Sequence, residues 1–528
     1  MLTEKLYLNK DYEASVLRAA DILKSGGIVA IPKETVYGLA ASAYSDDAIK
    51  KVFSAKGRPQ DNPLIVHIAE LETLYEIAKD IPETALKCAE SFWPGPFTMI
   101  LSKTGKTAES VSAGLDTVAV RMPSEKAALD IIKKSGLPLA APSANISGRP
   151  SPTTALHTEQ DLDGKIDAIV FGNNSAVGVE STVVSFCSNP PRLLRPGFIT
   201  AEEIREIVPD LIVDKAVLSE PRKGEKVHSP GMKYKHYSPK TEAFLVEGEG
   251  FAEFVNNKKN AVAICFCDES NEIKIPKIAY GEKDNPQTLA NALFDTLRSI
   301  DKLGVSEAYI HAPEKSGIGL AVYNRLIRAC GFRVIKLQQI VGLTGPTGAG
   351  KSSLTEIAVQ NGYYVLDCDK LARKAVEKQT EGLRALVQVF GEDILLRDGT
   401  LNRKKLAEKA FSSKAETELL NKTIFPFIID LVKEEMKIAG KIILDAPTLF
   451  ESGLDAICDK TVAVIADTKT RLARITERDG IDEASAMLRI NAGKNEEYYK
   501  ERADYILYNN GDLAEFFASF TKILKEIF

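Results

Sequence analysis

The run Gly345-Pro346-Thr347-Gly348-Ala349-Gly350-Lys351-Ser352 constrains this chain more than any other segment. It matches G-x-x-x-x-G-K-[ST], with the apolar strand pattern IVGLT before it and a helical pattern from Ser353 after it. A strand, a glycine-rich turn and a helix in that order point backbone N–H groups inward around phosphate oxygens. The helix N-terminus adds about half a positive charge. Lys351 is placed to reach the outer phosphates, and the Ser352 hydroxyl to ligate Mg²⁺. Gly345, Gly348, Ala349, Gly350, Lys351, Ser352 and Ser353 are thus the expected nucleotide-binding residues of a parallel α/β sheet.

The segments downstream fit phosphoryl transfer. YYVLDCDKLAR (363–373) puts Asp367 and Asp369 at a strand's carboxyl end, with Arg373 on the helix that follows. Open α/β sheets take their ligands there. One carboxylate could accept a hydroxyl proton or orient Mg²⁺, and the arginine could hold an anionic acceptor. Asp369 also reads as a helix cap, which does not exclude catalysis. KIILDAPTLFE is a buried strand ending at Asp445. Arg471, Arg474 and Arg478 share one helical face, and Arg489 follows on the next helix. Such a face is either solvated or a lid over the transferred phosphate.

At 528 residues the chain suggests roughly three or four domains. With 44% hydrophobic and 27% charged residues it is neither disordered nor fibrous. A net charge of −5 excludes a generic basic nucleic-acid coat but not a local phosphate site. No apolar run approaches the ~18–20 residues of a membrane span, and the charged start MLTEKLYLNKDYEAS does not read as a signal peptide. Seven scattered cysteines without C-x-x-C read as reduced thiols of a cytoplasmic protein rather than a zinc site.

Strand patterns such as IVAIP, LIVHIA, TMILSK, TVAVRM, IDAIVF and STVVSF, with helices at 14–25 and 46–56, make the first 200 residues a mixed α/β domain. Residues 214–240 carry seven Lys/Arg against three Asp/Glu and little periodicity, which reads as a long connection. Residues 241–337 alternate strand and helix, a small α/β unit with a parallel sheet. In RVIKLQQIVGLTG (333–345) one strand pattern runs into the next, so the flanking domains are expected in a fixed relation.

The first 200 residues gather short polar residues at strand ends. These are Glu34, Thr35 and Tyr37; Lys56, Arg58, Asn62 and His67; Ser143, Asn145 and Ser151; then Ser181 and Arg195. Lys56 and Arg58, two apart, would point the same way from an extended segment and clamp phosphates. Ser143 and Asn145 could do the same with hydroxyl and amide groups. Taken singly, each is more readily a turn former, and His67 a satisfied core histidine.

GLTGPTGAGKS, DCDKLAR, FGEDILLRDGTLNRKKLAEKAF, NKTIFP, ILDAPTLFE, RITERDG and ADYILYNNG together resemble dephospho-coenzyme A kinase across 338–528. The resemblance implies an adenylate-kinase-like P-loop NTPase fold and transfer of the ATP γ-phosphate to the ribose 3′-hydroxyl of dephospho-CoA. It implies Asp369 as base, Asp367, Arg373 and Lys351 beside it, and Arg471, Arg478 and Arg489 as lid. The chain departs from the family at Phe425, where His is usual before Pro426, at Thr448 in Pro-Leu-Leu, and near Gly493, where a Gln is common. A lost imidazole implies weaker acceptor binding.

PKETVYGL, the K-x-R and S-x-N pairs, WPGPFTMIL, VAVRMP, GVESTVV and LLRPG, in order, resemble the YrdC-like domain of L-threonylcarbamoyladenylate synthase. SPGMKYKHYSP (229–239) resembles the linker of its two-domain form, so the likeness covers about 10–337. The implied fold is multidomain α/β: a YrdC-like mixed domain at 10–200, a basic Pro/Gly linker at 201–240, a small Rossmann-like domain at 241–337 and the kinase at 338–528. The implied reaction joins L-threonine, bicarbonate and ATP, with Mg²⁺, into threonylcarbamoyl-AMP and pyrophosphate for tRNA modification. Lys56, Arg58, Ser143 and Asn145 become the catalytic set, and Thr35, His67, Arg121 and Ser181 the threonine contacts. Asn62, Thr117, Ser151 and Arg195 join the ATP side, with Lys233 and Tyr237 brought near nucleotide by a closing linker, which otherwise is a plain tether. The departures are Lys33 for a usual Thr, Glu125 for His, and Phe171-Gly172 for Asp-Gly, the last expected to loosen a loop.

Three readings remain at this stage. The first is a bifunctional enzyme using ATP, L-threonine, bicarbonate and dephospho-CoA, with tRNA-modification proteins as partners, no membrane and no channelling. The second is one active enzyme fused to a degenerate partner, the kinase being the likelier casualty of Phe425. The third is a double-stranded-RNA-binding module joined to an active kinase.

Overall fold

The computed structural model describes residues 2–219, 237–436 and 440–528. The chain divides into two compact units, Met1–Glu247 with Phe251–Ile335, and Gly248–Gly250 with Lys336–Phe528.

In the first unit, twelve strands among the described residues form one mixed sheet. Strand Ile65–His67 lies parallel to Thr117–Arg121, with His67 opposite Arg121. On its other side it runs antiparallel to Leu139–Ala140, which pairs in turn with Gly38–Ser42. These pairings collect the ends that carry Lys33–Tyr37, His67, Arg121 and the turn at Ser143. The helix Asp46–Lys56 feeds the same point. Ser45 Oγ accepts from Ala48 N at its start, Ile49, Val52 and Phe53 are buried, and Gly57 in the left-handed region ends it. Lys56 is thus the last residue of a helix, not part of the extended segment expected for Lys56 and Arg58, because the Ser45 cap and the 3.6-residue apolar spacing win locally.

The small α/β layer of this unit has five strands, ordered Lys277–Ala279, Ala261–Cys265, Glu307–His311, Glu242–Glu247 and Val334–Lys336. The three pairings among the first four are parallel. Its helices Pro286–Ile300 and Gly317–Ala329 share an apolar cluster with Val36, Val177 and Val179 from the first 200 residues. Each large side chain buried there is worth about 1.5–3 kcal/mol. Gly178, at φ +80°, permits the approach: a Cβ there would lie 2.4 Å from the Ala290 carbonyl oxygen.

The second unit has a five-stranded, wholly parallel sheet ordered Tyr364–Asp367, Gly440–Asp445, Gln338–Thr344, Lys460–Ile465 and Tyr505–Tyr508. The glycine loop leaves the central strand. Phe425 sits in the helix Lys414–Glu435 and packs against the apolar core, a place where an imidazole would be poorly solvated. Among the described residues no helix is long and apolar enough to cross a membrane.

Candidate active sites

One cavity in the first unit is walled by three hydrogen-bonded networks. In the first, the buried Lys56 Nζ donates to the Ser143 carbonyl, to the Asn145 carbonyl at 2.6 Å, and to Asn145 Oδ1 at 3.4 Å. Ser143 Oγ donates to Asn145 Oδ1 at 2.5 Å, and Asn145 Nδ2 to the carbonyls of Ile146 and Arg149. Lys56 therefore organises the S-x-N turn rather than reaching out as a phosphate clamp. Burial, then Arg58, holds its pKa well below the usual lysine value. Arg58 lines the cavity and donates to the carbonyls of Asn62 and Pro63.

In the second network, the buried Arg121 donates to Gly95 O at 3.0 Å, Thr35 Oγ1 at 3.0 Å and Glu34 Oε1 at 2.5 Å. Burial alone would raise the Glu34 carboxyl, but Arg121 and the Ser124 backbone N–H together outweigh it and the pKa falls. Lys33 Nζ donates to Ala141 O at 2.9 Å and lies 3.2 Å from His67 Nε2. His67 Nδ1 is 3.1 Å from the Ile65 carbonyl, which only accepts, so Nδ1 carries the proton and Nε2 accepts from Lys33. Burial, Lys33 and Arg121 keep the His67 pKa well below its usual value.

The third network crosses from the small α/β layer. Arg325 is fully buried on the helix Gly317–Ala329 and donates through Nε to Glu180 Oε2 at 3.0 Å. Ser151 Oγ donates to Glu180 Oε1 at 2.6 Å. Arg195 donates to Ser181 through its carbonyl and hydroxyl, both at 3.0 Å. Burial pushes Glu180 up, but Arg325 and Arg195 outweigh it and bring its pKa to about 2. Tyr237, at φ +64°, closes the wall and packs on Phe294 with ring centroids 5.2 Å apart.

The cavity brings together Thr35, His67, Arg121 and Ser181, and with them Lys56, Arg58, Ser143, Asn145, Arg195 and Tyr237. Thr117 lines a small adjoining pocket that shares Pro63 and Leu64 with the cavity. Asn62 is buried outside the cavity wall, its amide atoms without a partner among the described residues. Ser151 stands behind Glu180. Lys233 lies outside the described residues. The loop at Phe171-Gly172 is pinned despite the missing aspartate: Gly172 N donates to Tyr37 Oη at 3.2 Å, and that hydroxyl donates to Asn173 O. Sequence reasoning missed Glu180 and Arg325. The signal was there, since Arg325 falls on the same face as the apolar Val322 and Ala329, and an arginine there needs a buried partner.

In the second unit the glycine loop is built for close approach. Gly345, Gly348 and Gly350 have φ of +143°, +80° and +101°. A Cβ would lie 2.2 Å from Val464 O at Gly345 and 2.2 Å from Asn509 Nδ2 at Gly350. Lys351 opens the helix Lys351–Gln360, with Ser352 and Ser353 in its first turn. The loop is braced from behind. Arg471 Nε donates to Thr347 O at 2.9 Å, and Asn509 Nδ2 and Arg474 Nη1 donate to Ala349 O at 2.8 and 3.3 Å. Arg471, expected over the substrate, is therefore buried against the loop. Arg478 and Arg489 are exposed, and both pair with Asp479.

Asp367, not Asp369, caps the helix Cys368–Ala375, its Oδ1 accepting from Lys370 N at 3.0 Å. Asp369 and Arg373 are exposed on that helix. Asp445 ends the neighbouring strand in register with Asp367. Its Oδ1 is buried with no partner among the described residues. Burial raises its pKa, Lys351 opposes that, and Asp367 and Asp369 reinforce it.

A cationic cavity at strand ends and a braced phosphate loop, on separate α/β units, define an enzyme of two transferase parts. Three family models match. One described as telomere recombination covers residues 21–197, threonylcarbamoyl-AMP synthase C-terminal domain covers 199–331, and dephospho-CoA kinase covers 339–515. The threonylcarbamoyl-AMP synthase of Pyrococcus abyssi is 43% identical over 328 residues, 60% of this chain and 95% of that protein. The dephospho-CoA kinase of Fusobacterium nucleatum is 37% identical over 190 residues, 36% of this chain and 98% of that protein. The crystal structure of P. abyssi Sua5 complexed with L-threonine superposes with a TM-score of 0.59 at 40% identity, over 64% of this chain and 99% of that one. The chain belongs to the threonylcarbamoyl-AMP synthase family in its first part and to the dephospho-CoA kinase family in its second.

Proposed function

We propose that both parts act on the substrates of their families. The first unit joins L-threonine, bicarbonate and ATP into threonylcarbamoyl-AMP and pyrophosphate for tRNA modification. The second moves the ATP γ-phosphate to the 3′-hydroxyl of dephospho-CoA. The observation that carries the first half is the single cavity holding Thr35, His67, Arg121 and Ser181 together with the K-x-R and S-x-N pairs. There Arg58, Arg195 and the Ser143–Asn145 turn would set the α-phosphate against the carbamate oxygen, and positioning and charge neutralisation would do most of the work. For the second half it is the braced loop, with Asp369 and Arg373 exposed at the carboxyl end of the sheet where an acceptor hydroxyl would enter.

The residues of the second unit fit Mg²⁺. Asp445 Oδ1 is a buried carboxylate oxygen with no partner among the described residues, and Mg²⁺ needs few protein ligands beside phosphate and water. Ser352 and Asp445 would hold it, and once bound it would neutralise phosphate charge. Two assays on the purified full chain test the reading. One follows threonine- and bicarbonate-dependent pyrophosphate release from ATP, and the other ADP release with dephospho-CoA. Silence in the second with activity in the first would make the kinase the degenerate partner.

A further inference from the structure

Lys33 is a buried amine on the cavity wall, only 4% exposed, for which the reaction as described above has no use. Its place is specific. A Cβ at Gly38 would lie 2.7 Å from Nζ, so the glycine leaves room for the lysine's end. Nitrogen has four tetrahedral directions. One holds Cε, one a proton given to Ala141 O, and one a proton given to His67 Nε2. The fourth carries either a third proton or a lone pair.

The other groups facing Lys33 are committed. His67 already accepts through Nε2 and is held neutral. Glu34 and Glu180 are held ionised by Arg121 and by Arg325 with Arg195. Lys56 Nζ is taken up by the Ser143 carbonyl and by the Asn145 carbonyl and Oδ1, and burial keeps its pKa well below the usual lysine value. Burial, with Arg121 next in weight, brings the Lys33 pKa to about 7, so its fourth position changes occupancy near neutrality.

We propose that the Lys33 amine accepts the proton that the amino-acid substrate's ammonium group must lose before its nitrogen attacks bicarbonate. The inference rests on the synthase reading. In the step, one proton passes from the substrate's ammonium to Lys33 Nζ, leaving a neutral amine. The nitrogen then bonds to the bicarbonate carbon, and the C–OH bond breaks. The departing hydroxide takes a second proton from that nitrogen, giving water and the carbamate, and Lys33 returns its proton to solvent.

The experiment is the pH dependence of kcat/KM for threonine, read by pyrophosphate release from the full chain between pH 5.5 and 9. Wild type should lose activity as pH falls through about 7. Lys33→Met should be about 100-fold slower at pH 7, with the deficit closing toward pH 9 as the substrate's own ammonium deprotonates. Lys33→Arg, which keeps the charge but cannot take a proton, should behave alike. A wild-type profile without an ionisation between pH 6 and 8 overturns the inference whether or not the variants fold. So does a Lys33→Arg deficit that is absent or the same at every pH. A wild type that releases no pyrophosphate with threonine overturns the synthase reading and this inference together, whereas the other failures overturn the inference alone.

Discussion

Replacing Arg325 by Leu should destabilise the first unit by about 3 kcal/mol, although the residue lies 145 positions from Glu180 in the chain. Glu180 is buried, and its pKa is brought from the ordinary 4.5 to about 2. At about 1.4 kcal/mol for each tenfold step in acidity, that is about 3 kcal/mol of stability. Arg325 is the largest attractive contributor and Arg195 the next, so the substitution removes most of it. It also strips the Pro196 carbonyl of its 2.5 Å hydrogen bond. The sign with pH is fixed. A carboxylate depressed in the folded state stabilises fully above its unfolded pKa and loses that contribution as pH falls through about 2. In the variant the folded pKa moves up, so the deficit should narrow between pH 7 and pH 4. The assay is urea unfolding followed by tryptophan fluorescence. Trp93 is the single tryptophan and sits in the first unit, so the signal ignores the second. Glu180→Gln and the double variant complete a cycle. A coupling below about 1 kcal/mol at pH 7 would refute the reasoning.

Lys351→Ala should abolish dephospho-CoA-dependent ADP release, a drop of about 100-fold or more, while threonine-dependent pyrophosphate release stays within about twofold. Asn509→Ala removes the 2.8 Å bond to Ala349 and the Arg474 partner, and should raise the kinase KM for ATP by about tenfold, measured against dephospho-CoA at saturation. Asn145→Ala frees the Ser143 hydroxyl, removes the side-chain acceptor of Lys56 and unpins the turn from the Arg149 carbonyl, and should lower synthase kcat/KM by about 100-fold. Since Phe425 packs on the apolar core, Phe425→His should cost about 1–3 kcal/mol in the second unit, read by circular dichroism during thermal unfolding.

Local signals carried well where local physics decides. The helix at 46–56 was legible from Ser45, its apolar spacing and Gly57, and the parallel sheet around the glycine loop from alternating strand and helix patterns. The pairs K-x-R and S-x-N were legible as a set, but not that Lys56 would turn inward onto the Ser143–Asn145 turn. That depends on a bond spanning 87 residues, and a lysine at a helix end is usually solvated. The arginine face at 471–478 divided for the same reason: Arg471 and Arg474 found loop carbonyls more than 120 residues upstream, whereas Arg478 found its neighbour Asp479. Thr117 lies at the start of its strand, and its place beside the cavity depends on the pairing of that strand with Ile65–His67, which no local pattern states.

The brace at Asn509 bears on the order in which a ribosome can finish this protein. Asn509 grips Ala349 across 160 residues, so the glycine loop is translated long before the side chain that holds it. The Glu180–Arg325 pair closes earlier, while the loop of the second unit has yet to be synthesised. A nascent chain released before residue 509 would carry a finished first unit beside a nucleotide signature that is intact to the letter yet lacks its backstop.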